Sequence, residues 1–257
     1  MIYYFSGTGN SLHIAQILSR QTGWSLRPMI LCDEETPEES EVTGMVFPVY
    51  GWRLPRIVEQ FLQNLPLTKK RSAYFFAILT CGDDIGRTHE LLRRKLKEKD
   101  IKLDAVWSVT MPNTYVALPG FDIDPKELQE NKLKAAQQRL DDIISVINRR
   151  DSSITDVHTG TLAYVKTYIL GHLFNRFLTK HKYFRHESTC IGCRKCERIC
   201  PVGNIRCDGK GRPVWLHDCT MCLSCYHHCP IHSIAYGPFT QGKGQYICKY
   251  CCPIKLK

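Results

Sequence analysis

Eight of the chain's 14 cysteines stand in two copies of one pattern. The first is Cys190, Cys193, Cys196 and Cys200, followed by Pro201; the second is Cys219, Cys222, Cys225 and Cys229, followed by Pro230. Each cysteine of the first run returns 29 residues later, as Cys190 does at Cys219. Thiolates are soft ligands, and a cubane 4Fe–4S core needs four of them, one per iron. Three cysteines at this spacing fit a tight loop around three corners of the cube. The fourth is expected to start a helix and point away, toward the other cluster. Cys190, Cys193, Cys196 and Cys229 are thus assigned to one 4Fe–4S cluster, and Cys219, Cys222, Cys225 and Cys200 to a second. Zinc favours paired C-x-x-C units, and disulfide frameworks belong to small secreted domains. Neither accounts for two identical four-ligand runs. Pro201 and Pro230, lacking an N–H, turn the chain after each run.

A second constellation opens the chain. Ile2 to Phe5 reads as a buried strand feeding Ser6-Gly7-Thr8-Gly9-Asn10-Ser11, and a helix follows with Leu12, Ala15, Ile17 and Leu18 inward. Strand, polar glycine loop and helix form a phosphate site: backbone N–H groups and hydroxyls face the anion, aided by the helix dipole. The loop lacks the lysine of a triphosphate loop and the G-x-G-x-x-G of a dinucleotide fold. Two further loops carry flat or small residues, Pro48-Val49-Tyr50-Gly51-Trp52 and Cys81-Gly82-Asp83. Tyr50 or Trp52 suits stacking on a flat ring, while Gly51 and Gly82 admit close backbone approach.

The elements that position these loops alternate. Strands are expected at Leu26 to Leu31, Thr43 to Val49, Ala73 to Thr80 and Leu103 to Thr110, with an acidic solvated loop from Asp33 to Glu41. Helices are expected from about Pro55 to Leu65, Gly86 to Lys99 and Pro125 to Arg149. This alternation predicts a doubly wound parallel sheet of five strands, order 2-1-3-4-5, with the three loops converging at its carboxyl edge.

The chain resembles the flavodoxin–ferredoxin fusions of anaerobic bacteria over nearly all of its length. The resemblance rests on Ser6 to Ser11, on Phe47-Pro48-Val49-Tyr50 with Leu54-Pro55-Arg56, on Met111-Pro112-Asn113, and on the two cysteine runs. It implies one FMN and two 4Fe–4S clusters, in a flavodoxin-like α/β domain followed by an α+β ferredoxin-like domain. The expected division is 1–150 for the FMN domain, 151–186 for a helical linker and 187–257 for the cluster domain with a cysteine-containing tail.

The linker carries an apolar stripe of Leu162, Val165, Ile169, Leu173 and Phe177, widened by Leu170, Phe174 and Leu178. This face is expected to dock the two halves together. Its basic complement, including Lys166, His172, Arg176, Lys180 and Lys182, also has the form of a membrane-surface helix. Cys207 reads as a core filler, and Cys248, Cys251 and Cys252 as a packed or frayed end. No stretch approaches the ~18 apolar residues of a membrane span. The start of the sequence has no basic leader, so a cytoplasmic protein with reduced thiols is expected.

The formal net charge of +10 counts cysteines as neutral. Two clusters and a phosphate group would lower it to about +4. The basic residues are dispersed, which argues against nucleic acid. Arg194, Lys195 and Arg198 around the first run favour an acidic redox partner. The parts point to an electron carrier in which FMN converts between one- and two-electron partners. The alternative is a flavin-dependent reductase of a small organic substrate, fed by its own clusters; the flavin loops offer no acid–base pair beyond Asp83 and Asp84.

Overall fold

A computed structural model describes residues 1–31, 41–65, 74–179 and 181–251. Most of the expected acidic loop, together with Cys32, Lys180 and Cys252, lies outside the described residues.

The amino-terminal part is built on a parallel sheet of β1 (Ile2–Tyr4), β2 (Leu26–Pro28), β3 (Val42–Pro48), β4 (Tyr74–Cys81), β5 (Ala105–Thr110) and β6 (Ile154–Asp156). Their order is β2-β1-β3-β4-β5-β6. All eight residues of β4 are buried, as expected of a strand covered on both faces. One face packs α1 (Asn10–Thr22) and α4 (Lys126–Arg149) through residues such as Ile14, Leu18, Leu140 and Ile144. The other packs α2 (Arg56–Asn64) and α3 (Thr88–Lys97) through Val58, Phe61, Leu92 and Leu96.

The expectation of five strands is corrected to six. Ile154, Thr155 and Asp156 fall in the stretch assigned to the linker, yet they pair in parallel with Ala105, Val106 and Trp107. An Ile-Thr-Asp triplet with two exposed residues has no apolar run to mark it as a strand. The backbone ladder places it, together with Arg139, which donates to the Ser108 carbonyl at 2.7 Å and the Asp156 carbonyl at 2.9 Å.

Residues 163–178 form a continuous helical segment whose wide-pitched turns, Val165–Leu170 and Phe174–Leu178, flank α5 (Gly171–Leu173). It packs on the sheet-edge loops through Phe174 of the expected stripe, while most of the stripe faces outward. Leu162, Ile169, Leu173 and Phe177 are exposed, at 74%, 49%, 46% and 55%. The packed face is Thr167, Gly171 and Phe174. A Cβ on Gly171 would lie 2.5 Å from the Gly51 carbonyl oxygen, so the helix approaches that loop too closely for any larger residue. Arg53 donates to the Thr167 carbonyl, and the Thr167 hydroxyl accepts from the Arg87 N–H.

The carboxy-terminal part repeats itself in three dimensions. β7 (Phe184–His186), a cysteine loop, α6 (Lys195–Arg198) and β8 (Ile205–Cys207) recur as β9 (Pro213–Trp215), a second loop, α7 (Ser224–His227) and β10 (Ile234–Tyr236). β7 pairs with β10 and β8 with β9, so each half completes the other's ribbon.

Candidate iron–sulfur centres and sheet-edge cleft

The two cysteine loops share one backbone. Gly192 and Met221 have φ of 67° and 60°, and Arg194 and Leu223 both have φ of 57°. These left-handed residues curl each loop before a four-residue helix. Cys200 and Cys229 lie beyond the ends of α6 and α7, not at a helix start as the spacing predicts. Each sulfur accepts a backbone N–H at 3.2 Å, from Asn204 and Ser233 respectively. Cys219 accepts from the Met221 N–H at 3.4 Å.

The neighbours of each thiol differ between the runs. Burial pushes Cys219 up to about 11, with Cys200 adding to the rise. Burial also raises Cys222, followed by the thiols of Cys200 and Cys219 and then Cys225. Cys225 is raised by burial too, with Cys219, Cys200 and then Cys196 of the first run contributing. Cys200 is therefore electrostatically a neighbour of the second run. In the first run Cys196 is pushed up to about 12, by burial and then by Cys207, with Cys193 a further neighbour. Cys193 is exposed, and Cys190 and Cys229 are half-buried.

Among the described residues no three His, Cys, Asp or Glu side chains converge on a site for a single ion. What marks the cluster sites is the loop backbone and its donors. Asn204 Nδ2 and Thr220 Oγ1 are buried donors without a protein acceptor within hydrogen-bonding reach. Trp215 Nε1 lies toward the Cys225 sulfur. Buried donors left without an acceptor are costly, and the sulfide and thiolate sulfurs of a cluster would accept from them. The residues present fit an iron–sulfur group.

A cleft opens at the carboxyl edge of the sheet, about 110 Å³ in volume. The structure gathers there Ser6, Gly7, Thr8, Asn10, Ser11, Pro48, Val49, Tyr50, Gly51, Cys81 and Gly82, all expected from sequence. Trp52 lies outside, against the linker helix, with Lys166 Nζ 5.5 Å from its ring centre. Asp83 is also outside and largely exposed, 4.0 Å from Lys132. Gly9 faces away from the cleft, toward the tail. Within the loop, Ser6 Oγ accepts the Gly9 N–H at 3.1 Å, and Ser11 Oγ bonds Thr80 Oγ1 at 2.8 Å. Asn10 is held at both ends, donating to the Pro112 carbonyl and accepting from the Tyr246 hydroxyl. Burial pushes Cys81 up to about 12, with Asp84 adding to the rise.

Sequence reasoning missed the far wall of this cleft: Tyr115, Phe174, Met221, Cys222 and Leu223. Three of these belong to the second cysteine loop. A Cβ on Gly7 would stand 2.7 Å from the Cys222 carbonyl oxygen and 2.9 Å from its Cβ. The phosphate-type loop and the cluster loop are thus in direct contact. Tyr50 sits between them and is raised by burial and then by Cys222 and Cys219. Tyr115 brings a buried hydroxyl with no acceptor within reach.

Other joints hold the halves together. His227 Nε2 donates to the Thr114 carbonyl at 2.8 Å while its Nδ1 accepts the Tyr246 N–H at 3.1 Å. Lys243 donates to the Val116 and Leu118 carbonyls. The Arg56–Asp218 ion pair at 2.8 Å lies on the surface.

Residues 182–230 match the family described as a 4Fe-4S dicluster domain. The carboxy-terminal part is an iron–sulfur electron-transfer domain. The chain is also 42% identical over 48 residues to a protein of Methanosarcina acetivorans whose name describes one component of an ion-translocating oxidoreductase complex. That similarity covers 19% of this chain and 18% of the relative's length. Among the described residues no helix is long and apolar enough to cross a membrane.

Proposed function

We propose that the chain is an electron carrier holding two 4Fe–4S clusters and one FMN, with the FMN in the sheet-edge cleft. When bound, the flavin would supply exchange between one- and two-electron partners. The observation that carries the reading is the contact between Gly7 and Cys222. It puts the phosphate-type loop in direct contact with a ligand loop of the second cluster, with the Tyr50 hydroxyl beside the contact. Thr8 and the backbone N–H groups of the loop would face the phosphate, and Tyr115 would give its hydroxyl to a ring or ribityl acceptor. The cleft, about 110 Å³, is smaller than the ~300–1,000 Å³ of typical cofactor sites, so its walls would have to open to admit a flavin.

The crossed ligand sets follow the same reading. Cys200 would complete the cluster of Cys219, Cys222 and Cys225, and Cys229 that of Cys190, Cys193 and Cys196. The carrier would pass electrons to a protein partner, in keeping with the relative's name as part of an oxidoreductase complex.

Anaerobic reconstitution tests the proposal. One FMN and about eight irons with eight acid-labile sulfides per chain are expected. Cys200→Ser should leave the spectrum of the first cluster intact and perturb the second. Tight zinc without labile sulfide would overturn the cluster assignment, and failure to retain FMN through gel filtration would overturn the cleft assignment.

A further inference from the structure

The tail folds back against the glycine loop. Cys248 N–H donates to the Thr8 carbonyl at 2.9 Å, and the Tyr246 hydroxyl donates to Asn10 at 2.8 Å. Gly9 has φ of 100°, and a Cβ there would lie 2.6 Å from Cys251 Sγ and 2.9 Å from Cys248 Cβ. The tail thus carries a C-x-x-C pair apart from the two cluster runs, set against a strand–loop–helix unit.

The pair is arranged for thiol chemistry. Cys251 Sγ lies 3.2 Å from the Cys248 carbonyl oxygen. Cys248 is drawn down to about 6, first by the hydrogen bond from the Cys251 side chain, against burial, and with help from the Tyr250 and Cys251 N–H groups. A low thiolate pKa maintained by the second thiol and by backbone donors is the signature of a reactive C-x-x-C. Both cysteines line a cavity of about 680 Å³. Its walls are apolar at Phe5, Leu12 and Ile247, while Lys195, Arg198 and His228 supply polar and basic groups. Cys251 is half-exposed and Cys248 is 2% exposed.

We propose that Cys248 and Cys251 are a thiol–disulfide exchange pair whose substrate is a small anionic disulfide, held in this cavity by Lys195 and Arg198. The cavity shares Ser6, Gly7 and Thr8 with the cleft, but Cys248 and Cys251 line only the cavity and are separate from the cysteines of the two cluster runs. Cys251, the half-exposed member of the pair, passes its thiol proton to the Cys248 thiolate as its sulfur attacks one sulfur of the disulfide RSSR. The Cys251–SR bond forms, the RS–SR bond breaks, and RS⁻ leaves and takes the proton from Cys248 as RSH. Cys248 thiolate then attacks Cys251 Sγ, forming the Cys248–Cys251 disulfide and releasing the second RS⁻. The pair gives up two electrons and two protons, and RSSR becomes two RSH. The reverse reaction, with two thiols, restores the dithiol.

The test uses the full-length cluster-loaded protein without oxygen, with Cys252→Ser throughout and glutathione disulfide as the probe. Intact mass should show loss of two hydrogens from the chain, and peptide mapping should place the disulfide at Cys248–Cys251. In Cys248→Ser, one glutathione should remain on Cys251. Lys195→Glu with Arg198→Glu, at unchanged iron content, should slow the reaction with glutathione disulfide about tenfold. Reaction with the uncharged 2-hydroxyethyl disulfide should keep its rate. Absence of the Cys248–Cys251 disulfide, or labelling of Cys207 as fast as Cys251, would overturn the exchange site. Equal slowing with both probes would overturn the anionic substrate.

Discussion

The linker helix makes a prediction that separates its two faces. At Gly171 a Cβ would meet the Gly51 carbonyl oxygen at 2.5 Å and Arg53 Cγ at 2.9 Å, against the 3.4 Å at which contact becomes ordinary. The first of these atoms is backbone, so the helix must retreat by nearly an ångström. Overpacking of this kind costs about 1–3 kcal/mol. The better helix propensity of valine over glycine offsets roughly 0.5 kcal/mol. The net loss for Gly171→Val is then about 0.5–2.5 kcal/mol, or about 1–10 °C in Tm at 2–4 °C per kcal/mol for a chain of this size. Leu173→Asp and Phe177→Asp alter exposed side chains and should stay within about 0.5 kcal/mol of the parent. Anaerobic thermal melts by far-ultraviolet circular dichroism, at matched iron content, read all three. A parental Tm for Gly171→Val together with a large fall for Leu173→Asp would show that the apolar stripe, and not the small-residue face, holds the helix.

The remaining predictions concern single side chains. Tyr115→Phe should have opposite effects in two assays: it removes a buried hydroxyl lacking an acceptor, which stabilises the flavin-free chain by about 1–3 kcal/mol, and it weakens FMN binding measured by fluorescence quenching. Equal FMN affinity would remove Tyr115 from the proposed site. Burial lowers the pKa of His89, so the folded state binds fewer protons than the unfolded chain below the ordinary value of 6.5. Its contribution is complete above that value and is lost as pH falls toward the folded pKa. His89→Leu should flatten that part of the stability curve, measured by denaturant midpoints at stepped pH. Ile191, 65% exposed between Cys190 and Cys193, is the apolar surface residue nearest in sequence to the first run. Ile191→Asp should slow reduction of a protein acceptor several-fold and leave that of a small dye unchanged. Equal slowing of both would place the defect inside the cluster.

Local patterns made much of this legible. The repeat from Cys190 to Pro230 predicted a repeated unit, because cluster ligation fixes the spacing within each loop. The sheet followed from apolar runs such as Tyr74 to Cys81, whose burial needs cover on both faces. β6 was not legible, since its three residues owe their place to the ladder with β5. The linker misled because its 3.6-residue apolar stripe is real, while the face that packs is chosen by how close the backbones come. Gly171 and Thr167 give no hydrophobic signal. Tyr50 and Trp52 looked equivalent in sequence; in the structure Trp52 lies beside Gly86 with Lys166 over its ring, outside the cleft.

The glycine loop shows how far one motif can be overdetermined. Read alone, Gly7 and Gly9 are small so that backbone can approach a phosphate. In the folded chain each has a second reason. Gly7 has no room for a Cβ because the Cys222 loop lies against it, and Gly9 has none because Cys248 and Cys251 lie against it. The positive φ of Gly9 also favours glycine independently of any neighbour. The loop at the head of the sheet is therefore shaped by a cleft on one side and by two separate sets of thiols on the others. Its geometry belongs to the whole chain, and the amino-terminal sheet without its carboxy-terminal partner would lack a wall of its own cleft.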